Sequence, residues 1–184
     1  MAGGAATRLG AEVPKGAFQM GLEGFSCLFE VLLNKCAELF HPKVYVMLSN
    51  ATASTVQFLE DNSYFSYPRQ QVEFVFQPEY PVISQTKQLL LDEQRNVQTS
   101  PNGNGGFLKA ISNSTRNEEY LHVIGVDNPF VKPLDPAMLG FMHANNLNVV
   151  NRVLRPNVGE KVGICGMRRI EASVQAPLSQ SEVS

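Results

Sequence analysis

No stretch of the 184-residue chain approaches the ~18 consecutive apolar residues that would mark a membrane-spanning helix. No secretory signal core stands at its start. An excess of one charge is missing too: 15 Lys+Arg against 17 Asp+Glu leave a formal net charge of -2, and no basic run occurs. This balance offers no electrostatic footprint for nucleic acid and none for an anionic membrane, so neither is expected as a partner. Cysteine is scarce, with Cys27, Cys36 and Cys165 forming an odd set without metal-ligand spacing. Cys27 and Cys36 fall in one apolar helical pattern, which predicts buried free thiols and fits a reducing, cytoplasmic compartment. His41, His122 and His143 show no coordinated pattern, with His122 expected on a strand and His143 on a helix; none is assigned a catalytic role. Met1-Ala-Gly places glycine third, which excludes a myristoylation start. Asn50-Ala-Thr52 and Asn113-Ser-Thr115 match the glycosylation sequon by chance if no secretion signal accompanies them. No internal repeat is found. What is present is an ordinary globular balance, 43% apolar and 17% charged, in a chain long enough for one domain with a sizeable core.

With so little net charge, any phosphate site has to be a local positive pocket. The first sixteen residues, Met1-Ala-Gly-Gly-Ala-Ala-Thr-Arg-Leu-Gly-Ala-Glu-Val-Pro-Lys-Gly16, supply one candidate. Backbone at Gly3 and Gly4 can approach a ligand closely, and successive N–H groups there can form an anion nest. Arg8 offers a planar fork for phosphate oxygens and Lys15 a compact point charge. Pro14 fixes φ just before Lys15 and limits where that ammonium can point. The competing reading is a frayed, glycine-rich terminus. The stretch is not a Walker loop, because Lys15 is followed by Gly16 and Ala17 rather than by a hydroxyl residue, and it lacks the G-x-G-x-x-G dinucleotide fingerprint.

Periodicity places the elements. Leu28, Phe29, Leu32, Leu33, Cys36, Leu39 and Phe40 recur at helical spacing between Ser26, a candidate N-cap, and His41-Pro42. Lys43–Leu48 and Gln71–Phe76 read as buried strands, with a helix from Ala53 to Asp61 between them. Lys87–Val97 suits a short hairpin, and Phe107–Ser112 a helix entered from the glycine-rich loop Ser100–Gly106. Tyr120–Val126 reads as a third apolar strand. Asp135–Asn145 is helical, capped by Asp135 before Pro136. Asn148–Val153 and Lys161–Cys165 read as further strands, and the chain after Arg168 is polar. Alternating strands and helices predict a three-layer α/β domain with a largely parallel sheet, whose ligands bind beyond the carboxyl ends of the strands.

Three segments lie at that edge. Asp127 directly follows an apolar strand, and Mg²⁺ prefers one or two carboxylates plus substrate phosphates; the competing role is a turn cap before Pro129. Gly103-Asn104-Gly105-Gly106 lets backbone approach a flat or anionic group, with Asn104 offering donor and acceptor; otherwise it is a plain turn. Gln77 can read a base edge with its amide, or simply end a strand at the surface.

The order of these motifs resembles that of the nucleotide-sugar pyrophosphorylases. Their signature L-x-G-G-x-x-T-R-L-G-x-x-x-P-K stands here as Met1-Ala-Gly-Gly-Ala-Ala-Thr-Arg-Leu-Gly10 followed by Pro14-Lys15. Pro101-Asn-Gly-Asn-Gly-Gly106 is similar to P-D-G-N-G-G, and Val126-Asp-Asn128, Val131-Lys132 and Asp135-Pro136 follow the V-D-N, L-V-K and D-P segments. Phe74 to Pro81 carries the F-x-Q segment. The Gly-Asn-Gly-Gly loop resembles the UDP-N-acetylhexosamine branch rather than the UDP-glucose one. The resemblance implies a truncated, three-layer Rossmann-like nucleotidyltransferase (nucleotide-diphospho-sugar transferase) fold with a mixed, mostly parallel sheet. It implies synthesis of UDP-N-acetylglucosamine and pyrophosphate from UTP and N-acetylglucosamine 1-phosphate, with Mg²⁺ as cofactor. Met1, Ala2, Gly3 and Gly4 would hold uridine and phosphate, and Gln77 and Gly103 would contact uracil. Asn104 would contact the sugar, Arg8 and Lys15 the triphosphate, and Asp127 the metal.

The sequence departs from this pattern at Ala6, where many members have glycine, and at Asn102, which replaces an aspartate. Ser179-Gln-Ser-Glu182 stands where members have a Glu-Tyr-Ser-Glu segment at the sugar. Residues 1–184 are thus expected to be part of a nucleotidyltransferase catalytic domain, without the strand that leads into the glycine loop and without the later F-N-x-G-N segment and lysines. On that expectation the segment alone is short of a central strand. Two function classes stay open: a UDP-N-acetylhexosamine pyrophosphorylase, or a non-catalytic nucleotide-binding or interaction module derived from one.

Overall fold

The computed structural model describes residues 2, 13–21, 23–112, 118–155, 157, 159 and 160. Met1, Gly3, Gly4, Ala6, Arg8, Asn113–Thr115, Cys165, Ser179–Glu182 and the expected strand Lys161–Cys165 lie outside them. Contacts divide the chain into two units, Met1–Phe141 and Met142–Ser184.

The first unit is built on a parallel pair of strands. β1 (Val44–Leu48) pairs with β2 (Val72–Phe76) in register from Val44↔Val72 to Leu48↔Phe76. β-branched and aromatic residues suit this pleated surface, and alternation sends their side chains to opposite faces. On one face Val46, Leu48 and Val72 join Phe29, Leu32, Leu33, Leu59, Tyr64 and Tyr67 in the main core. On the other face Met47 and Val75 pack with Ile111. The first face is covered by α1 (Leu28–Ala37) and α2 (Ser54–Asp61), the second by α3 (Gly106–Ser112). Helices on both faces of a parallel pair give the expected three layers.

The predicted helix periodicity holds in α1, whose Leu28, Phe29, Val31, Leu32, Leu33 and Cys36 are all buried. Its cap differs from the expectation. Cys27, not Ser26, is the capping residue, and its thiol is buried rather than turned to the helix end. Glu30 takes over by reaching back, its Oε2 accepting from the Ser26 N–H at 2.6 Å and from Ser26 Oγ at 2.7 Å. Both Cys27 and Cys36 are free and buried, as the sequence predicts, and burial pushes the Cys36 thiol up to about 11.

After β2, β3 (Glu79–Pro81) and β4 (Thr99–Pro101) form a second, antiparallel pair. Between them the expected hairpin lies inside a longer meander. Isolated bridges join Ile83 to Leu89 and Leu91 to Val97, and the chain reverses at Lys87 and Arg95, both with positive φ. The described strands thus form two separate two-stranded sheets, one parallel and one antiparallel, rather than a single mixed sheet.

Two strand predictions are corrected. Tyr120–Val126 forms no strand ladder. Its inward residues still behave as core, since Val126 is buried and Ile124 packs beside it, while Leu121 and Val123 remain exposed. A cavity of about 190 Å³ opens along this segment, lined in part by Tyr45, Met47, Val75, Ile111 and His122. His122, expected on a strand, is instead fixed by its ring: Nδ1 accepts from the Leu134 N–H at 2.9 Å, and burial holds its pKa below the ordinary imidazole value. Asn148–Val153 is likewise not a strand; Val149 and Val153 are exposed, so no apolar face pins it to a sheet.

α4 (Pro136–Ala144) follows the sequence reading closely. Asp135 Oδ1 accepts from the Ala137 N–H at 3.1 Å, with Pro136 at the first helical position. In the second unit the chain leaves this helix through Asn146 in a left-handed conformation, with the Leu147 N–H bonded to Met142 O at 2.9 Å. Further on, Asn157 and Glu160 close a turn through a 2.7 Å hydrogen bond from the Asn157 N–H to Glu160 Oε2.

Candidate active site

The carboxyl ends of β1 and β2 carry the first part of the site. Ala2 is buried, and its N–H donates to Met47 O at 2.8 Å, which sets this one residue beside β1 on the edge away from β2. β1 runs into Ser49, whose N–H donates to Thr52 Oγ1 at 3.0 Å in a buried capping box. β2 runs into Gln77, whose N–H donates to Leu48 O at 2.9 Å and prolongs the parallel ladder by one residue.

Gln77 is not the surface glutamine that a strand end can supply. It is 7% exposed, and its Oε1 accepts no hydrogen bond from a described residue. A buried acceptor without a partner costs roughly 1–3 kcal/mol, so such an atom needs an explanation. Its neighbours are the second glycine loop. Asn102 N–H donates to Pro78 O at 2.9 Å, and a methyl built on Gly106 would lie 3.4 Å from Gln77 Cβ and 3.5 Å from Asn102 Cβ and Pro78 Cδ. These are ordinary van der Waals distances, so Gly106 packs against Gln77, Pro78 and Asn102 without a need for glycine there. Gly103 has φ of +78°, which favours glycine, and the loop passes through Asn104 and Gly105 into the first turn of α3. Asn104 is exposed at the loop tip.

The second part of the site joins the two ends of the first unit. Pro14, with φ of -55°, leads into a short 3₁₀ turn at Lys15–Ala17. Lys15 Nζ donates to Asp127 Oδ2 at 3.1 Å, across 112 residues of sequence. The hydrogen bond from Lys15 holds the Asp127 carboxyl below the ordinary carboxylate value, with desolvation opposing it. The pair is open to solvent, Lys15 at 30% and Asp127 at 59% side-chain exposure, so it contributes little to stability. Its chemical consequence is a cation and an anion side by side at a surface, each able to exchange its partner for a ligand of opposite charge.

Two neighbours that the sequence did not single out shape Asp127. Gly125 closes a turn, its carbonyl accepting from the Asn128 N–H at 3.2 Å, and a methyl there would come within 2.8 Å of Asp127 Oδ1. Lys35, in the last turn of α1, donates to the carbonyls of Pro129 and Val131, the latter at 3.1 Å. Neither contact has a local sequence signal, because one depends on a side-chain rotamer and the other on backbone carbonyls 94 and 96 residues away. Among the described residues no group of three or more His, Cys, Asp or Glu gathers to hold a metal. Asp127 therefore offers a single carboxylate, which suits a cation shared with substrate phosphates rather than one caged by protein.

Residues 1–166 match the family described as UTP--glucose-1-phosphate uridylyltransferase. The chain belongs to that family. Over its whole length it is 30% identical to a UDP-N-acetylglucosamine pyrophosphorylase of Saccharomyces cerevisiae, covering 42% of that protein. It is 29% identical to the UDP-N-acetylhexosamine pyrophosphorylase-like protein 1 of Xenopus tropicalis, again along all of this chain and 39% of the relative. The chain thus spans about two fifths of the curated relatives it matches. Among solved structures it is similar to the uridine diphosphate N-acetylglucosamine pyrophosphorylase of Trypanosoma brucei, with a TM-score of 0.55 and 31% identity over 60% of this chain and 24% of that one. The fold also matches a putative UDP-N-acetylglucosamine pyrophosphorylase of Entamoeba histolytica, with a TM-score of 0.62 over 79% of this chain and 41% of that one. The resemblance and the nucleotidyltransferase fold expected from the sequence are borne out.

Proposed function

We propose that this chain carries the UTP-handling part of a uridylyltransferase that makes UDP-N-acetylglucosamine and pyrophosphate from UTP and N-acetylglucosamine 1-phosphate. The observation that supports it most is the Lys15–Asp127 pair, which unites the Pro-Lys end of the first motif with the Val-Asp-Asn motif at one surface point. The names of the relatives supply the substrate class.

In this reading an oxygen of the sugar 1-phosphate attacks the α-phosphorus of UTP, the bond from that phosphorus to the β-phosphate bridge breaks, and pyrophosphate leaves. Little covalent work falls to the protein, so positioning and charge neutralisation provide the rate. Lys15 turns from Asp127 to the triphosphate, and Arg8 joins it. Asp127 would hold Mg²⁺, which when bound neutralises phosphate charge. The buried Gln77 Oε1 is a ready acceptor for the uracil edge, with Gly103 beside the base. Met1, Ala2, Gly3 and Gly4 line the uridine and phosphate, and Asn104 at its exposed tip contacts the sugar. These roles make residues 1–184 part of a nucleotidyltransferase catalytic domain. The expected setting is cytoplasmic, without nucleic acid or membrane partners; no described helix is long and apolar enough to cross a membrane.

The test is calorimetry with UTP, followed by a pyrophosphate-release assay with UTP, Mg²⁺ and N-acetylglucosamine 1-phosphate. Lys15→Ala should lower UTP affinity ten- to a hundredfold, since a charged hydrogen bond is worth roughly 1.5–3 kcal/mol. UTP affinity equal in wild type and Lys15→Ala would overturn the assignment of that lysine. Absence of both UTP binding and pyrophosphate release would overturn the function.

A further inference from the structure

Asp127 stands on an exposed turn, and its side chain reaches Lys15 through a solvent-open bond that does little to hold the backbone. The turn begins at Gly125 and closes at Asn128, whose Oδ1 accepts from the Phe130 N–H at 3.2 Å and whose carbonyl accepts from the Val131 N–H at 3.4 Å. Both bonds are local, and Phe130 is almost fully exposed at 91%. Upstream, Val126 is buried in the core and anchors one side of Asp127. On the other side Val131 packs, partly buried, against the same core, but Pro129 and Phe130 between them still need a polar tie.

Lys35 supplies it. Its ammonium enters from α1, a helix whose apolar face is buried in the core, and bonds the carbonyls of Pro129 and Val131 together. An ammonium carries three donors and no acceptor, so one side chain can bridge two carbonyls. Proline has no N–H and cannot tie itself to a neighbouring strand as a donor, so a cation on its carbonyl is a direct way to fix that residue. The position also suits the helix, because a cation in the last turn complements the negative end of its dipole.

We propose that Lys35 is a positioning residue for the uridylyltransfer site: it clamps the 128–131 loop to α1 and so holds Asp127 within reach of Lys15 and of a bound cation. The value of the clamp to the reaction rests on the function proposed above; the clamp itself does not.

The experiment has two arms on the full chain, with Lys35→Met, which keeps the stem and removes the donors, and Lys35→Arg, which restores them. In the first arm, hydrogen–deuterium exchange follows the backbone amides of 127, 128, 130 and 131. Lys35→Met should speed their exchange at least tenfold and leave β1 and β2 unchanged, and Lys35→Arg should return it to the wild-type rate. In the second arm, electron paramagnetic resonance titrates Mn²⁺ in the presence of UTP. Lys35→Met should weaken Mn²⁺ binding about tenfold, with recovery in Lys35→Arg. Exchange that stays at the wild-type rate in Lys35→Met, or that Lys35→Arg fails to restore, overturns the clamp. A loosened loop with unchanged Mn²⁺ affinity overturns its role in the site. If wild type takes up no Mn²⁺ with UTP, the functional reading fails while the exchange arm still decides the clamp. Should Lys35→Met not fold, Lys35→Leu, which also lacks a donor, replaces it under the same criteria.

Discussion

Gly16 joins the core to the site, and one methyl group there tests both. It is the buried middle residue of the Lys15–Ala17 turn, next in sequence to the lysine that meets Asp127. A methyl built on it would lie 2.5 Å from Phe29 Cδ2 and nearer still to Cε2 and Cζ. Carbon atoms in contact prefer about 3.5–4.0 Å, so at least ~1 Å of relief has to come from the ring or from the turn. The ring has little room. Phe29 is 5% exposed and stands 6.4 Å from the Phe58 ring, which in turn stands 6.2 Å from Phe65. Overpacking of this kind costs about 1–3 kcal/mol. For a domain of this size each kcal/mol lowers Tm by about 2–4 °C. Gly16→Ala should therefore melt lower and shift the urea midpoint. If the turn yields rather than the ring, Lys15 leaves Asp127 and UTP affinity falls as well. Adding Phe29→Leu, which vacates the ring edge, should return part of both losses. Gly140→Ala is the control, because nothing lies within 4 Å of a methyl at that helical position. A Gly16→Ala protein with the wild-type urea midpoint would refute the packing argument.

The Lys15–Asp127 pair predicts a pH dependence with a definite sign. Because the hydrogen bond from Lys15 lowers the folded Asp127 pKa, its stabilisation is present above the unfolded carboxylate value and is lost as pH falls through the folded one. Asp127→Asn should remove that share of the acid-side slope, a fraction of 1 kcal/mol for so exposed a pair; urea midpoints between pH 7 and pH 3 with identical slopes in both proteins would contradict it. Cys36, buried and pushed up to about 11, should resist Ellman's reagent at pH 8 in the native protein and react on unfolding. Rapid native labelling of Cys36, located by mass spectrometry, would show that its burial does not keep the reagent out.

Much of this architecture was legible because local signals agreed with it. α2, α4, β1 and β2 lie within one or two residues of their expected bounds, whereas α1 ends at Ala37, three residues before the Phe40 of its apolar pattern, which stands exposed with positive φ. Lys15, Asp127, Gln77 and the Gly103–Gly106 loop were legible as candidates because their residue types are chemically expressive. What joins them was not. The meeting of Lys15 with Asp127, and of Lys35 with Pro129 and Val131, depends on the topology of the sheet and leaves no periodic trace. Tyr120–Val126 was misread for a related reason: an apolar run signals burial, whereas a strand also needs a partner edge. The Ser63–Ser66 turn escaped notice because all four residues take positive φ without a glycine. Left-handed backbone costs about 1–2 kcal/mol per residue, and burial of Tyr64 with packing of Phe65 into the core offsets it here.

Gln77 separates stability from function most sharply. Its Oε1 lies buried without a described partner, at the end of the strand whose ladder holds the site. Among the described residues that atom has lost water and gained no partner, at a cost of roughly 1–3 kcal/mol. Methionine has nearly the same length and shape, and a thioether does not demand a partner. Gln77→Met should thus raise the urea midpoint, because the backbone bond from residue 77 to Leu48 O is untouched. If the oxygen is kept for a uracil edge, the same change should weaken UTP binding about tenfold or more, since removal of one good hydrogen bond from a buried site leaves the ligand's donor unpaired. Tight binding of UTP by a stabilised Gln77→Met would mean that the orphan acceptor serves no base. A Gln77→Met protein less stable than wild type would mean that the amide is structural, with its cost already met within the fold.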